Sequence, residues 1–303
     1  MKVKWNEFIA NSKNGTFLLD RNYMDYHSDR FKDYSLVVYH KGNIFAVFPA
    51  NETEEGTIIS HQGLTYGGLI TDKKAKVAEI CEIFKMINEY FKSYGFKKVV
   101  YKAIPWIFHI LPAEEDLYAL TNICHAQLFS RDISSTIILN NRPTFSQPRR
   151  TAIHHAEKNG ITVKESEEYG AFWHILENNL ENRYNAKPVH TLDEIQLLKS
   201  RFPQNITLFM AYKDNQPLGG TIIYDCGQVI HTQYISASPE GKATGALDIL
   251  FDYIINTKYA DRKYFDFGKS TENHGRFLNE NLIFQKEGFG GRGVCYDVYT
   301  WEI

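Results

Sequence analysis

One order of segments occurs twice in this chain, and it restricts the fold more than any other feature. In the first half, Tyr34 to Ala50 is two apolar runs separated by Lys41-Gly42-Asn43, residue types that tolerate positive φ and so mark a hairpin. Thr57 to Ile70 follows as a strand candidate rich in β-branched residues and closed by Gly67-Gly68. Val77, Ile80, Phe84, Ile87 and Phe91 then recur at helical spacing, Gly95 ends that helix, and Lys97 to Ile104 reads as a strand. The second half repeats this. Thr207 to Asp225 is two apolar runs around the turn Lys213 to Pro217, Val229 to Ser238 is a strand, Gly241 to Tyr259 is loop then helix, and Lys263 to Gly268 closes the unit. Matching Tyr39 with Tyr212 and Val100 with Phe265 gives offsets of 173 and 165 residues, a drift that surface loops absorb. The chain is therefore expected to be mixed α/β, with a duplicated domain.

Other helices are expected where apolar residues share one face. Leu117, Leu120 and Cys124 do so in 113–129, and Phe172, Ile175, Leu176 and Leu180 do so in 171–184. Thr191 to Glu194 is a capping box, so its acidic pair serves a helix start. Residues 141–165 read as a basic linker and helix, giving expected domains at 1–140 and 166–303. Within 141–160, Arg142, Arg149, Arg150 and Lys158 face one acidic residue, Glu157. That stripe fits either a phosphate-bearing substrate or an exposed helix start.

Composition removes several classes. With 34 basic and 36 acidic residues, the chain cannot hold nucleic acid through a global positive field. No apolar stretch approaches the ~20 residues of a membrane helix, so membrane insertion is not expected, and the first residues lack the apolar core of a secretion signal. Cys81, Cys124, Cys226 and Cys295 are too far apart for a disulfide scaffold or a zinc site. Buried thiols in a reducing cytoplasm are expected. Adjacent His154 and His155 cannot both face one metal on a helix, so no metal is expected.

The densest chemistry lies in the second repeat. Gly241, Lys242, Ala243, Thr244, Gly245 and Ala246 lie in a strand-to-helix connection, where backbone amides face any anion and glycines permit close approach. It is neither a Walker loop nor GxGxxG. Lys286 is a candidate oxyanion donor, with pairing to Glu287 as the plainer alternative. Asp266 alternates with Phe265 and Phe267, which suits a base or substrate anchor on the other strand face. His231 and Tyr234 lie three apart on a strand and are expected on opposite faces, His231 as a substrate contact and Tyr234 as an acid for the leaving group. Arg276 and Asn279 are expected to share a helix face near the same substrate, with Arg149 and Arg150.

Phe265-Asp266-Phe267-Gly268, then Gly275, then Lys286-Glu287-Gly288-Phe289-Gly290, resembles the second domain of Fem-type members of the GNAT acyltransferase superfamily. Arg149 to Gly160 resembles the Arg-rich helix that opens their second half. The resemblance implies two tandem GNAT-like domains and transfer of an acyl group to an amine on a sugar or cell-envelope precursor. It implies acyl-CoA or, for Fem-type enzymes, aminoacyl-tRNA as donor, and a small-molecule or nucleotide-linked acceptor. Two positions depart from the patterns: Leu247 stands where the GNAT diphosphate loop has Gly or Ala, and Gln285 where Fem-type chains have Phe. A binding module without turnover is the third reading. The sequence leaves oligomeric state open.

Overall fold

A computed structural model of the chain describes residues 1–53, 55–184 and 186–303. They divide into two compact units: residues 1–133 with 271–278 and 294–303, and residues 134–270 with 279–293. This differs from the expected 1–140, 141–165 and 166–303. The stretch read as a linker holds the helix Gln147–Lys158 and the strand Thr162–Ser166, both inside the second unit. Two later segments return to the first unit because their backbone pairs there; Val298 to Glu302, for example, pairs antiparallel with Lys98 to Lys102.

In the first unit the hairpin Leu36–His40 and Asn43–Phe48 forms as the turn residues require, with Lys41 and Gly42 at φ 51° and 83°. It belongs to a three-stranded sheet with Ile70–Thr71. The long strand expected over 57–70 is only Thr57–Ile59, since His61 turns the backbone to φ 57°. Thr57–Ile59 pairs in parallel with Lys98–Lys102, and the helix Val77–Ser93 connects them. Its Ile80, Ile83, Phe84, Ile87 and Phe91 enter a core with Phe48, Val99, Tyr101 and Trp301. Each such side chain contributes roughly 2 kcal/mol by leaving water. The helix expected across 113–129 stops at Asn122; Gln127–Ile138 is a strand, with Ser134 onward in the second unit.

The second unit repeats the plan on a larger scale. Strands Ile206–Lys213 and Gln216–Asp225 meet at Asp214-Asn215, both at positive φ, and Val229–Ala237 pairs next to them. A helical segment returns the chain to Tyr264–Lys269, which lies parallel to Val229–Ala237. This is the same strand–helix–parallel strand unit as in the first half. Residues 134–138 flank Tyr264–Lys269 on its other side. Phe209, Ile223, Ile230, Leu250, Phe251, Phe265, Phe267 and Phe289 form the core on one face of this sheet.

Three local expectations are corrected. Residues Gly241 to Thr244 are not loop but part of the helix Pro239–Thr244, capped by Ser238, whose hydroxyl accepts the Gly241 N–H at 3.0 Å. Arg276 and Asn279 share no helix: Arg276 follows three consecutive positive-φ residues in the hairpin Thr271–Glu272 and Phe277–Leu278 of the first unit, and Asn279 caps the helix Glu280–Gly288 of the second. Cysteine burial is uneven, with Cys124 buried and Cys295 exposed.

Candidate functional site

A cavity of about 280 Å³ lies within the second unit, beyond the point where two parallel strands part. Pairing of Val229–Ala237 with Tyr264–Lys269 ends at His231 and Asp266, although both strands continue. Past that point Ile235, Ser236 and Ala237 from one strand and Phe267 from the other line the space, with Leu176 and Leu180 of the helix Tyr169–Tyr184. The wall is apolar, and three cations join it: Arg149, Lys242 and Lys286.

Lys286 is buried, 6% exposed, and its Nζ donates to the Gly268 and Lys269 carbonyls at 2.9 and 2.8 Å. It reaches the Ser270 hydroxyl at 2.9 Å. The alternative of a surface lysine paired with Glu287 is thus overturned. Burial lowers its pKa to about 8, with Asp266 pulling the other way. The Glu280–Gly288 helix aims Lys286 inward while Glu287 points outward, which places an ammonium of reduced hydration at the cavity wall.

Asp266 is fully enclosed. Its Oδ1 accepts the hydroxyls of Ser134 and Thr136, and its Oδ2 accepts Nδ1 of His231 at 2.8 Å. Burial alone would raise its pKa; the donors from His231, Ser134 and Thr136 outweigh that and hold it below the ordinary carboxylate value. A carboxylate sealed this way meets no incoming amine, so the expectation of a base or anchor open to substrate is corrected. Ser134 and Thr136 were missed in the sequence; two hydroxyls at i and i+2 on a strand were the available signal.

His231 and Tyr234 share one face, contrary to the alternation rule. Their cross-strand partners are Tyr224 and Ile222, two apart on Gln216–Asp225, whereas Thr232 sits opposite Ile223. Gln233 is therefore the extra residue of a β-bulge, which re-aims everything after it. Tyr234 is not at the cavity: its hydroxyl is held by His190 Nδ1 at 2.7 Å, its ring stands edge-on to Trp173, and burial pushes its pKa to about 12.

Gly241 and Gly245 are explained by packing. A Cβ at Gly241 would lie 2.2 Å from the Leu218 carbonyl oxygen, and one at Gly245 would lie 2.7 Å from that of Ala152. The amides of Gly241, Lys242 and Gly245 all donate within the segment, to Ser238 Oγ, Ser238 O and Gly241 O. Ala243, Thr244 and Ala246 lie outside the cavity lining, whereas Lys242 joins it and donates to Asn179. Arg149 pairs with Asp248 at 2.6 Å beside the cavity, while adjacent Arg150 faces a separate groove with Arg142 and His154. Asn279 is spent on its cap, accepting the Leu282 N–H at 3.1 Å, and Arg276 is in the other unit. Among the described residues no group of His, Cys, Asp and Glu gathers to hold a metal, and no helix is long and apolar enough to cross a membrane.

Residues 146–276 match the acetyltransferase (GNAT) domain family. No curated protein matches the sequence. Among solved structures, the chain is similar to FemX, with a TM-score of 0.70, 10% identity, and coverage of 100% of this chain and 96% of that one. A conserved protein of unknown function from Bacteroides thetaiotaomicron gives 0.66 at 10% identity, covering 100% and 97%. L-PGS from Bacillus licheniformis gives 0.63 at 12% identity, covering 98% and 90%. At these identities the likeness is one of fold: a tandem GNAT fold of Fem type.

Proposed function

We propose that this chain, built on the Fem-type tandem GNAT acyltransferase fold, forms an amide by moving an acyl or aminoacyl group onto an amine of a small-molecule or nucleotide-linked precursor, such as an amino sugar or a cell-envelope peptide. One observation carries the reading: a buried ammonium, Lys286, ten residues past the GNAT-matching span 146–276, at the wall of an apolar cavity of about 280 Å³. Acyl transfer builds negative charge on a carbonyl oxygen, and a cation held in a dry wall stabilises that charge far more than one in water. The cavity accepts the acyl body, and Lys286 exchanges its Ser270 contact for the oxyanion.

A specific observation favours an aminoacyl-tRNA donor over acyl-CoA. Binding the diphosphate of coenzyme A at the Gly241 to Ala246 segment requires free amides, and those of Gly241, Lys242 and Gly245 are already engaged. The resemblance of the Lys286 to Gly290 motif to Fem-type chains supports the same donor.

The test presents purified protein with acetyl-CoA in one arm and pooled aminoacyl-tRNA in the other, each with a nucleotide-linked amino sugar or a peptidoglycan precursor peptide. Mass spectrometry reads the product. An amide product lost in Lys286→Met supports the reading; no product in either arm, with a folded protein, overturns it.

A further inference from the structure

We infer that His231 is the general base of this transfer, taking the proton of the attacking amine at Nε2, and that Asp266 is its positioning residue. The inference rests on the acyl-transfer reading above. His231 and Asp266 face each other directly across the last paired rung of the two parallel strands. Oδ1 of Asp266 is filled by two hydroxyls, which leaves Oδ2 for Nδ1 of His231. Both hydroxyls donate to the carboxylate, so it stays ionised and acts on the imidazole only as an acceptor. That fixes the proton on Nδ1 and the lone pair on Nε2.

The placement fits the task. The His231 side chain is 13% exposed, and among the described residues its Nε2 makes no hydrogen bond. Its ring lies against Gly268: a Cβ there would sit 3.3 Å from Cε1 and 3.9 Å from Nε2. The same residue's carbonyl accepts Lys286 Nζ at 2.9 Å. Base and oxyanion cation thus both border one glycine, just past the rung where the two parallel strands part. The bulge at Gln233 leaves His231 on the sheet face opposite Ile235 and Ala237 and outside the cavity lining, so the amine reaches Nε2 from the other side of the gap where the two strands part.

The amine lone pair forms the new C–N bond, and the carbonyl π pair moves onto oxygen beside Lys286. Nε2 removes the proton that the nitrogen now carries in excess. The oxyanion then re-forms the carbonyl, the bond to the donor's ester oxygen (or thioester sulfur) breaks, and that atom receives the proton from Nε2. No other reactant is needed.

The test uses the whole chain and the donor that yields product, acetyl-CoA or aminoacyl-tRNA. His231→Gln is expected to lower kcat by about 10²–10⁴ with KM and melting temperature little changed, and added imidazole is expected to restore part of the rate in His231→Ala. Asp266→Asn, whose amide donates rather than accepts, is expected to move the ring proton to Nε2 and lower kcat over the same range. Ring ¹⁵N NMR of His231 reads that tautomer without any turnover: Nδ1–H in the wild type, Nε2–H in Asp266→Asn. An Nε2–H tautomer in the wild type, or unchanged kcat in a folded His231→Gln, overturns the assignment. An Nδ1–H tautomer in a wild-type protein that transfers nothing instead removes the acyl-transfer reading, and the base with it.

Discussion

The ε-amino group of Lys286 lies 2.9 Å from the carbonyl oxygen of Gly268, eighteen residues away along the chain and buried with it. Keeping a proton there costs free energy, and the depressed pKa of about 8, against an ordinary 10.5, expresses that cost. Between these values the unfolded chain binds the proton that the folded one has released, so stability attributable to this residue rises with pH. Lys286→Met lacks the effect. Urea denaturation of both proteins at pH 7.5, 9 and 10.5 is expected to shift the difference toward the wild type by roughly 3 kcal/mol over the range. A difference that stays flat would mean the lysine is not dehydrated.

Asp116 in the first unit has the opposite sign. It is enclosed, accepts the Tyr101 hydroxyl at 2.6 Å, and burial raises its pKa to about 6. The folded chain holds a proton here that the unfolded chain has lost, so this contribution is full below about pH 4 and disappears as pH rises through 6. Asp116→Asn is expected to remove that part of the pH dependence, read as melting temperature from pH 4 to 7. Equal slopes in the two proteins would contradict it.

Gly245 supports packing rather than ligand. Its φ is 78°, and an added Cβ would stand 2.7 Å from the Ala152 carbonyl oxygen. Gly245→Ala is expected to cost at least about 2 kcal/mol, seen as a fall of roughly 5 °C or more in melting temperature. Donor affinity measured by calorimetry well below that temperature should stay within about threefold. Loss of affinity in a protein of unchanged melting temperature would restore the diphosphate cradle.

Leu180 is half-buried on the cavity wall, so Leu180→Trp adds bulk there without entering the closed core. Donor affinity is expected to fall at least about tenfold while the melting temperature moves by no more than ~2 °C. Unchanged affinity would place the acyl group elsewhere.

Much of the fold was legible because it is local. The Lys41-Gly42 and Asp214-Asn215 turns, the apolar face of Val77–Ser93 and the doubled strand–helix–strand order are set by residues a few positions apart, where φ preferences and side-chain period act directly. The motif around Asp266 and Lys286 was legible as well, as residue types in a recurring order. Their partners were not. Ser134 and Thr136 reach Asp266 across 132 and 130 residues, and no periodicity carries information over that span. The bulge at Gln233 left no mark in the alternation, yet it decides that His231 and Tyr234 share a face. Gly241 and Gly245 read as an anion-binding loop, with a plain strand-to-helix turn as the alternative, until the Leu218 and Ala152 carbonyls stood against them. The sequence by itself determined the repeated elements and the reactive residue types. Burial, bonding partners and facing direction depend on which distant surfaces meet, and only the tertiary structure decided those.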